Sequence, residues 1–180
     1  MNKVHYSSAK SDWATPLDLY NILNEEFNFT IDVCANKNNN KCPDYYDEKL
    51  NGLKQVWSGR FWMNPPYGEP ESVCKKSCKK KKCIERGFHN SHYIPGIIDW
   101  MRKAWLSSVD KAELGVCLIP SRTDTKWWHS YAMKAAEIRL IRGRVKFEGA
   151  PFAAPFPSTV AIFRKDFKGK FPVFTSMSCK

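Results

Sequence analysis

The sequence lacks a long uncharged apolar segment and has few acidic residues for its length. Its longest apolar-leaning stretch without a charge, residues 149–163, is interrupted by three prolines and is too broken to span a bilayer. Residues 1–5 contain no apolar core of a secretory signal, so we expect a cytoplasmic protein with no membrane partner. The 18 acidic residues against 29 Lys and Arg give a net charge of +11, which favours a polyanionic partner, nucleic acid first.

The chain does not lack the residues that build a core. Its 43% hydrophobic and 14% aromatic content excludes intrinsic disorder as the main state. A length of 180 residues suits one domain, residues 1–180, and no internal repeat interrupts it. We therefore expect a folded domain whose charge suits a polyanion, either nucleic acid or, second, an anionic membrane surface.

Charge and cysteine are concentrated in one part of this domain. Between Cys74 and Arg86 lie seven cations and one acid, a net charge of +6, which leaves +5 for the remaining chain. The same window holds three of the seven cysteines. An odd cysteine count without a secretory signal argues against a disulfide framework. We treat residues 72–95 as a basic, Cys-rich insertion.

Three helices are predicted, and the first and third of them start at capping signals. Thr15 is expected to cap a helix with Pro16 at its first position, and apolar residues then recur at helical spacing to Phe27. A second helix begins after Pro95-Gly96, and a third, capped by Asp124 or Thr125, extends to about residue 135.

Short apolar segments between these helices predict strands. They lie at 29–34, 60–64, 114–119, 137–141 and 158–163, with a further extended piece at 144–147. Alternation of helices and strands favours an α/β domain with a mainly parallel sheet. Ligands of such sheets bind beyond the carboxyl ends of the strands, so polar residues that follow strands are the candidate site.

The most informative of these polar segments is Asn64-Pro65-Pro66-Tyr67, which follows a predicted strand. An amino group on a base or amide is a poor nucleophile because its lone pair is delocalised, and two hydrogen-bond acceptors can restore its nucleophilicity. The Asn64 side-chain oxygen and the Pro65 carbonyl can supply them, since two prolines restrict the backbone of the turn. Tyr67 offers a flat face for stacking on a base.

The sequence resembles the short phage and prophage DNA N6-adenine methyltransferases of the Dam-like family. Asn64-Pro65-Pro66-Tyr67 matches the motif of amino-methyltransferases that use S-adenosylmethionine, and the resemblance runs from about residue 13 to residue 163. The other matching pieces are Trp13-Ala14-Thr15-Pro16, Asp32-Val33-Cys34-Ala35, Lys41-Cys42, Asn51-Gly52-Leu53, Trp57, residues 120–127, Ile141-Arg142-Gly143-Arg144 and Ala154-Pro155-Phe156-Pro157-Ser158.

This resemblance implies a Rossmann-like methyltransferase fold, S-adenosylmethionine as cofactor and double-stranded DNA as substrate. It places Thr15 at the methionine end of the cofactor, and Asp32, Cys34 and Ala35 at the first-strand position, where Asp32 would hold the ammonium. It places Asn51 and Leu53 near the cofactor adenine. The glycine-rich turn of many methyltransferases is absent, and Cys34-Ala35 stands in its place.

The resemblance further implies a monomer that is phage or prophage encoded, works in a bacterial host cell and methylates adenine in a site such as GATC. By this analogy the target adenine leaves the duplex, and Asn64, Pro65, Pro66 and Tyr67 act on it.

Three arginines are candidate phosphate ligands. Arg122 follows a predicted strand, and it either contacts phosphate or forms a structural pair with Asp124. Arg142 and Arg144 flank Gly143 in a predicted turn.

The Cys-rich insertion is a candidate zinc site. Cys74, Cys78, Cys83 and one of His89 and His92, with His89 preferred, supply enough soft ligands for a tetrahedral site, although the spacing is not that of a standard zinc finger. The alternative is a flexible basic loop with incidental cysteines. In either case we expect its lysines to meet DNA phosphate: Lys75, Lys76, Lys79, Lys80, Lys81 and Lys82.

Two other functions fit the same residues. The turn at 64–67 also occurs in RNA and protein-glutamine methyltransferases. A DNA-binding zinc module without catalysis is compatible with the charge, but it leaves that turn without a role.

Overall fold

The computed structural model describes residues 14–75 and 77–179. Trp13 and Lys76, both named above, lie outside the described residues. Four α-helices and six strands occur in the described part. The helices are α1 (Leu17–Phe27), α2 (Lys81–Arg86), α3 (Ile97–Asp110) and α4 (Lys126–Ser130). The strands are β1 (Ile31–Asp32), β2 (Gly59–Met63), β3 (Ala112–Pro120), β4 (Glu137–Arg142), β5 (Ser158–Arg164) and β6 (Val173–Ser178).

The six strands form one mixed sheet in the order β1-β2-β3-β5-β4-β6. Five of them run in the same direction, and β5 runs opposite to its two neighbours, β3 and β4. The predicted α/β class is confirmed, and the mainly parallel sheet is interrupted by this one antiparallel strand.

Helices cover both faces of the sheet. Along β3, Cys117 and Ile119 pack with α3 and α4, whereas Val116 and Leu118 pack with α1. Alternate residues of the continuous apolar run 114–119 are therefore buried on opposite faces, as is usual for a central strand. Among the described residues, no helix is long and apolar enough to cross a membrane.

Several predicted element bounds are wrong. The first helix has its N-cap at Pro16, whose backbone is extended (ψ 134°), so Thr15 is not the cap. The strand predicted at 29–34 has only two strand residues, although Val33 still donates to the Trp62 carbonyl. Residues 144–147 form no strand. α4 ends at Ser130, and a short 3₁₀ turn follows at Ala132–Lys134.

Candidate active site

The sequence-predicted site residues meet at one edge of the sheet. β1, β2, β3 and β4 point the same way, so the segments that follow them lie at the same edge, which we call the carboxyl edge. Ser158, the first residue of β5, pairs with Pro120, the last of β3, so the segment 143–157 lies at this edge too. The placement of polar residues beyond the strands is as predicted.

The turn at 64–67 directly follows β2. Pro65 is buried, and the other three residues are half-buried. The Tyr67 hydroxyl donates to the Asn64 side-chain oxygen at 2.7 Å and lies 3.3 Å from the Leu118 carbonyl oxygen. The amide of Asn64 is thus oriented by a side chain of the same turn.

The Tyr67 ring is fixed by two aromatic neighbours. Phe147 and Phe156 pack against it edge to face, with centroid distances of 6.2 and 5.7 Å. Burial raises the pKa of the Tyr67 phenol, and the neighbouring Cys34 adds to the shift. The phenol is therefore a protonated donor at neutral pH. The influence of Cys34 shows that the segment after β1 lies close to the turn.

Asp32 is 2% exposed at the end of β1. Its two carboxylate oxygens accept the backbone N–H groups of Cys34 and Lys41, at 3.2 and 3.1 Å. Burial raises the pKa of Asp32 to about 6, while these two hydrogen bonds and the Lys41 charge act in the opposite direction. The carboxyl thus organises the loop from 33 to 41 and titrates near neutral pH.

An ion pair joins this loop to the start of the described chain. The Lys41 ammonium contacts both oxygens of Glu148 at 3.0 Å, and the Glu148 backbone N–H donates to the Ala14 carbonyl. Thr15, which follows Ala14, is buried near the N-terminus of α1. Thr15 and Asp32 are therefore linked through Lys41 and Glu148.

Residues 51–53 lie against the end of β1. Asn51 adopts a left-handed conformation (φ 55°) ahead of the 3₁₀ turn Gly52–Lys54. A Cβ on Gly52 would lie 2.2 Å from the Val33 carbonyl oxygen, so only glycine allows this approach. The structure thus places residues 51–53 next to the segment that follows β1.

The three candidate phosphate ligands lie at the carboxyl edge. Arg142 and Arg144 are exposed at the end of β4, and Arg122 is half-buried after β3. Arg122 and Asp124, both described, form no ion pair with each other; instead the Arg122 carbonyl accepts the Thr125 hydroxyl at 2.7 Å. The structural pair considered for Arg122 is therefore absent.

The Cys-rich insertion is closed at its base. Glu71 and Ile94 exchange two backbone hydrogen bonds of 2.9 Å, and Ile97 donates to the Gly68 carbonyl. A Cβ on Gly96 would lie 2.3 Å from the Pro70 nitrogen, so the two ends of the insertion are in close contact. The insertion therefore leaves and rejoins the domain at one point, a few residues after Tyr67.

Four side chains inside the insertion converge. The ligand atoms of Cys74, Cys78, Cys83 and His89 all lie within 4.8 Å of one another. The Cys83 sulfur lies 3.6 Å from that of Cys74 and 3.8 Å from that of Cys78, and all three are free thiols. Hydrogen bonds, chiefly from the Asn90 backbone, lower the pKa of Cys74 to about 7. His89 joins this group and His92 does not.

A polar network supports this cluster. The Glu71 carboxylate accepts from Arg86 and Asn90, each at 2.9 Å, and pairs with Lys82. Arg86 also donates to the side-chain oxygen of Asn90 and contacts the Cys83 sulfur. Lys82 is therefore engaged by Glu71, whereas Lys75, Lys79 and Lys80 are exposed without an ion pair among the described residues, and Lys81 forms a surface pair with Glu85.

Comparison with known proteins assigns the family. A family model described as DNA N-6-adenine-methyltransferase (Dam) matches residues 3–180. The chain belongs to this family. It is also similar to a protein of Haemophilus phage HP1 (strain HP1c1) named DNA N-6-adenine-methyltransferase, with 39% identity over 66 residues. That alignment covers 35% of this chain and 38% of the phage protein.

Sequence reasoning missed several residues that shape the site of this Dam-family chain. Glu148 and Glu71 were not singled out, because an acid in a polar segment gives no signal of its partner until the fold is known. Phe147 and Phe156 were not connected with Tyr67. The pieces Lys41-Cys42 and Ala154 to Ser158, which carry the resemblance, were the available signal for Lys41 and Phe156.

Proposed function

We propose that this Dam-family chain transfers a methyl group from S-adenosylmethionine to the N6 atom of an adenine that has been rotated out of duplex DNA. The observation that carries the proposal is the Asn64 amide, oriented by Tyr67, at the carboxyl edge beside Asp32. A GATC-like site is the target that the resemblance suggests.

The residues around Asp32 fit S-adenosylmethionine. A buried carboxylate suits the cofactor's ammonium, and the N-terminus of α1 beside Thr15 suits its carboxylate, because free N–H groups point outward there. Asn51 and Leu53 are adjacent to this segment through the contact of Gly52 with Val33. When bound, the cofactor supplies a methyl group on a sulfonium, which is a good leaving group.

The protein's own residues then position the base. A side-chain amide oxygen can accept two hydrogen bonds, so the Asn64 oxygen is suited to accept one N–H of the adenine amino group beside the bond from Tyr67. The Pro65 carbonyl can accept the other. Two acceptors hold the amino nitrogen in one orientation, so catalysis comes from positioning and electrostatics rather than from a nucleophilic residue.

Exposed cations lie at the same edge of the sheet as the turn at 64–67. Arg142 and Arg144 follow β4 at the carboxyl edge, and the Cys-rich insertion begins at residue 72, shortly after Tyr67. Binding to duplex phosphates accounts for this arrangement and predicts a strong dependence on salt concentration. We propose residues 72–95 as a DNA-contact element within one methyltransferase domain.

We also propose that Cys74, Cys78, Cys83 and His89 hold a structural zinc ion. With a Zn–S bond of about 2.3 Å, a tetrahedral site requires sulfur atoms about 3.8 Å apart. The separations of 3.6 and 3.8 Å agree with this value. A segment with so little core needs an organising ion, because few apolar side chains are buried within it.

Elemental analysis tests the zinc proposal. We expect one zinc per chain in the purified protein and little in Cys78→Ser. Cys179→Ser, which removes a thiol far from the cluster in sequence, is the matched control and should keep the metal. Absence of metal from the unsubstituted protein would contradict the proposal.

Sequencing with modified-base detection tests the main proposal. DNA from methylation-deficient bacteria that express the protein should carry N6-methyladenine at one short site, which identifies the site as well. Methyl label in RNA or in protein glutamine, with none in DNA, would favour the other amino-methyltransferases. Calorimetry that detects no binding of S-adenosylmethionine would favour a non-catalytic DNA-binding module.

A further inference from the structure

The segment between β4 and β5 presents a phenylalanine to solvent beside the candidate active site. Phe152 is 80% exposed, more than any other large apolar side chain among the described residues. An aromatic ring left in water at this point has no role in the core of the domain.

The two ends of this loop are fixed to the catalytic turn. Phe147 before it and Phe156 after it both pack against the Tyr67 ring. The Ala154 N–H donates to the Val145 carbonyl at 2.8 Å, which closes the loop. The position of Phe152 is therefore set relative to Tyr67 and Asn64 by contacts at the base of its own loop.

Three exposed cations precede this phenylalanine in the sequence. Arg142, Arg144 and Lys146 are exposed and alternate with the buried Val145 and Phe147. The alternation turns three positive charges toward solvent on the same segment that carries Phe152. Phosphate contacts at these cations would fix the register of a duplex along the segment that carries Phe152.

We infer that Phe152 inserts into the DNA stack at the position that the target adenine vacates. This inference rests on the proposed function. A base rotated out of a duplex leaves a gap whose neighbouring bases have lost a stacking partner, and an apolar side chain that enters the stack replaces that partner. Phe152 supplies such a ring beside the residues that would receive the adenine.

The test uses a duplex that contains the recognition sequence of the protein, with 2-aminopurine in place of the target adenine. This probe fluoresces more strongly when it is unstacked. Addition of the unsubstituted protein should raise the fluorescence, and Phe152→Ala should raise it far less. On normal duplex, kcat/KM for methyl transfer should fall about tenfold in Phe152→Ala, because no ring then replaces the stacking partner that the neighbouring bases have lost.

A mispaired target separates insertion from a merely structural role. When the target adenine is unpaired, rotation is less costly, so the defect of Phe152→Ala should shrink to about threefold or less. Phe152→Leu, which keeps an apolar wedge, should retain most activity on normal duplex. Binding of S-adenosylmethionine should be the same for all three proteins.

Phe171→Ala is the matched control. Phe171 is 63% exposed and precedes Val173, which pairs with the first residue of β4, so it lies at the edge opposite the site. It should leave both fluorescence and transfer unchanged. Equal kcat/KM for Phe152→Ala and the unsubstituted protein, or an equal defect on paired and mispaired targets, would overturn the inference. If the unsubstituted protein transfers no methyl group, the proposed function fails and the inference fails with it.

Discussion

The hydroxyl of Tyr67 donates a 2.7 Å hydrogen bond to the side-chain oxygen of Asn64. This bond orients the Asn64 amide from within the same turn. The ring that carries the hydroxyl is held by Phe147 and Phe156, so the turn at 64–67 depends on the loop before β5. Orientation of the amide and placement of Phe152 thus have a common structural basis.

Removal of the Tyr67 hydroxyl should slow methyl transfer without loss of cofactor binding. Tyr67→Phe keeps the ring and deletes the bond to Asn64, so the amide is less well oriented. A hydrogen bond contributes about 1 kcal/mol, so we expect kcat to fall about fivefold. Steady-state kinetics with labelled S-adenosylmethionine measures this.

Tyr93→Phe provides the control for that substitution. It also deletes a hydroxyl that donates to a side chain, here to Asp99 at 2.8 Å, but outside the turn at 64–67. It should leave kcat unchanged. Equal kcat for Tyr67→Phe and the unsubstituted protein would show that the hydroxyl does not orient the amide.

Affinity for S-adenosylmethionine should depend on pH through Asp32. Its pKa is about 6, so the carboxyl is mostly ionised at pH 7 and mostly protonated at pH 5. A protonated acid does not attract the cofactor's ammonium, so the Kd should rise about tenfold between pH 7 and pH 5. Burial raises the pKa values of the neighbouring Tyr20, Cys34 and Cys42, so these groups do not titrate in this range.

Calorimetry at several pH values measures this dependence, and Asp32→Asn is the matched variant. It should bind weakly with little change between pH 5 and pH 7. The same pH dependence in Asp32→Asn, or none in the unsubstituted protein, would assign the ammonium to another group.

A methyl group on Gly52 should disturb the contact between residues 51–53 and the segment after β1. In Gly52→Ala the new Cβ meets the Val33 carbonyl oxygen, which is backbone and cannot rotate away. We expect a loss of about 1–3 kcal/mol in the free energy of unfolding, because overpacking of this kind shifts the backbone. Chemical denaturation measures it, together with weaker binding of S-adenosylmethionine.

Gly68→Ala separates this steric effect from the general effect of adding a methyl group. A Cβ on Gly68 meets nothing within 4 Å, so its free energy of unfolding should stay within a few tenths of a kcal/mol. An equally mild effect of Gly52→Ala would contradict the close approach of residues 51–53 to β1.

Loss of two lysines from the insertion should reduce the salt dependence of DNA binding. Lys79 and Lys80 are exposed beside the Cys3His cluster. Each phosphate contact contributes about −0.9 to the slope of the logarithm of the DNA-binding constant against the logarithm of salt concentration. The double variant Lys79→Gln with Lys80→Gln should therefore have a slope that is shallower by about 2. The paired control, Lys168→Gln with Lys170→Gln, lies between β5 and β6 at the opposite edge and should change it little. Similar slopes for the two double variants would contradict the proposal that the insertion contacts DNA.

The sequence predicts the positions of the central strands better than those of the outer elements. Polar residues after apolar strands reach the carboxyl edge as expected, because period and turn signals are local. The sequence of β6 shows no apolar period or turn signal, because Val173 to Met177 are largely exposed. The strand forms through its pairing with β4. α2 is six mostly polar residues whose one buried side chain, Cys83, belongs to the Cys3His cluster.

Two further differences have equally specific causes. Thr15 was expected at the helix cap, but the extended backbone of Pro16 delays the helix by one residue. The lysines were all expected to meet phosphate, but Glu71, which lies at the base of the insertion, pairs with Lys82. Long-range partners of this kind are not encoded in local pattern.

Methyl transfer by Asn64→Ala tests the central claim most directly. Purified protein is incubated with labelled S-adenosylmethionine and a duplex that contains the recognition sequence in unmethylated form. Label in N6-methyladenine is measured after digestion. The unsubstituted protein should label adenine, and Asn64→Ala should label none while it keeps its thermal stability and its affinity for S-adenosylmethionine. Full activity in Asn64→Ala would contradict the assignment of the turn at 64–67 as the catalytic centre.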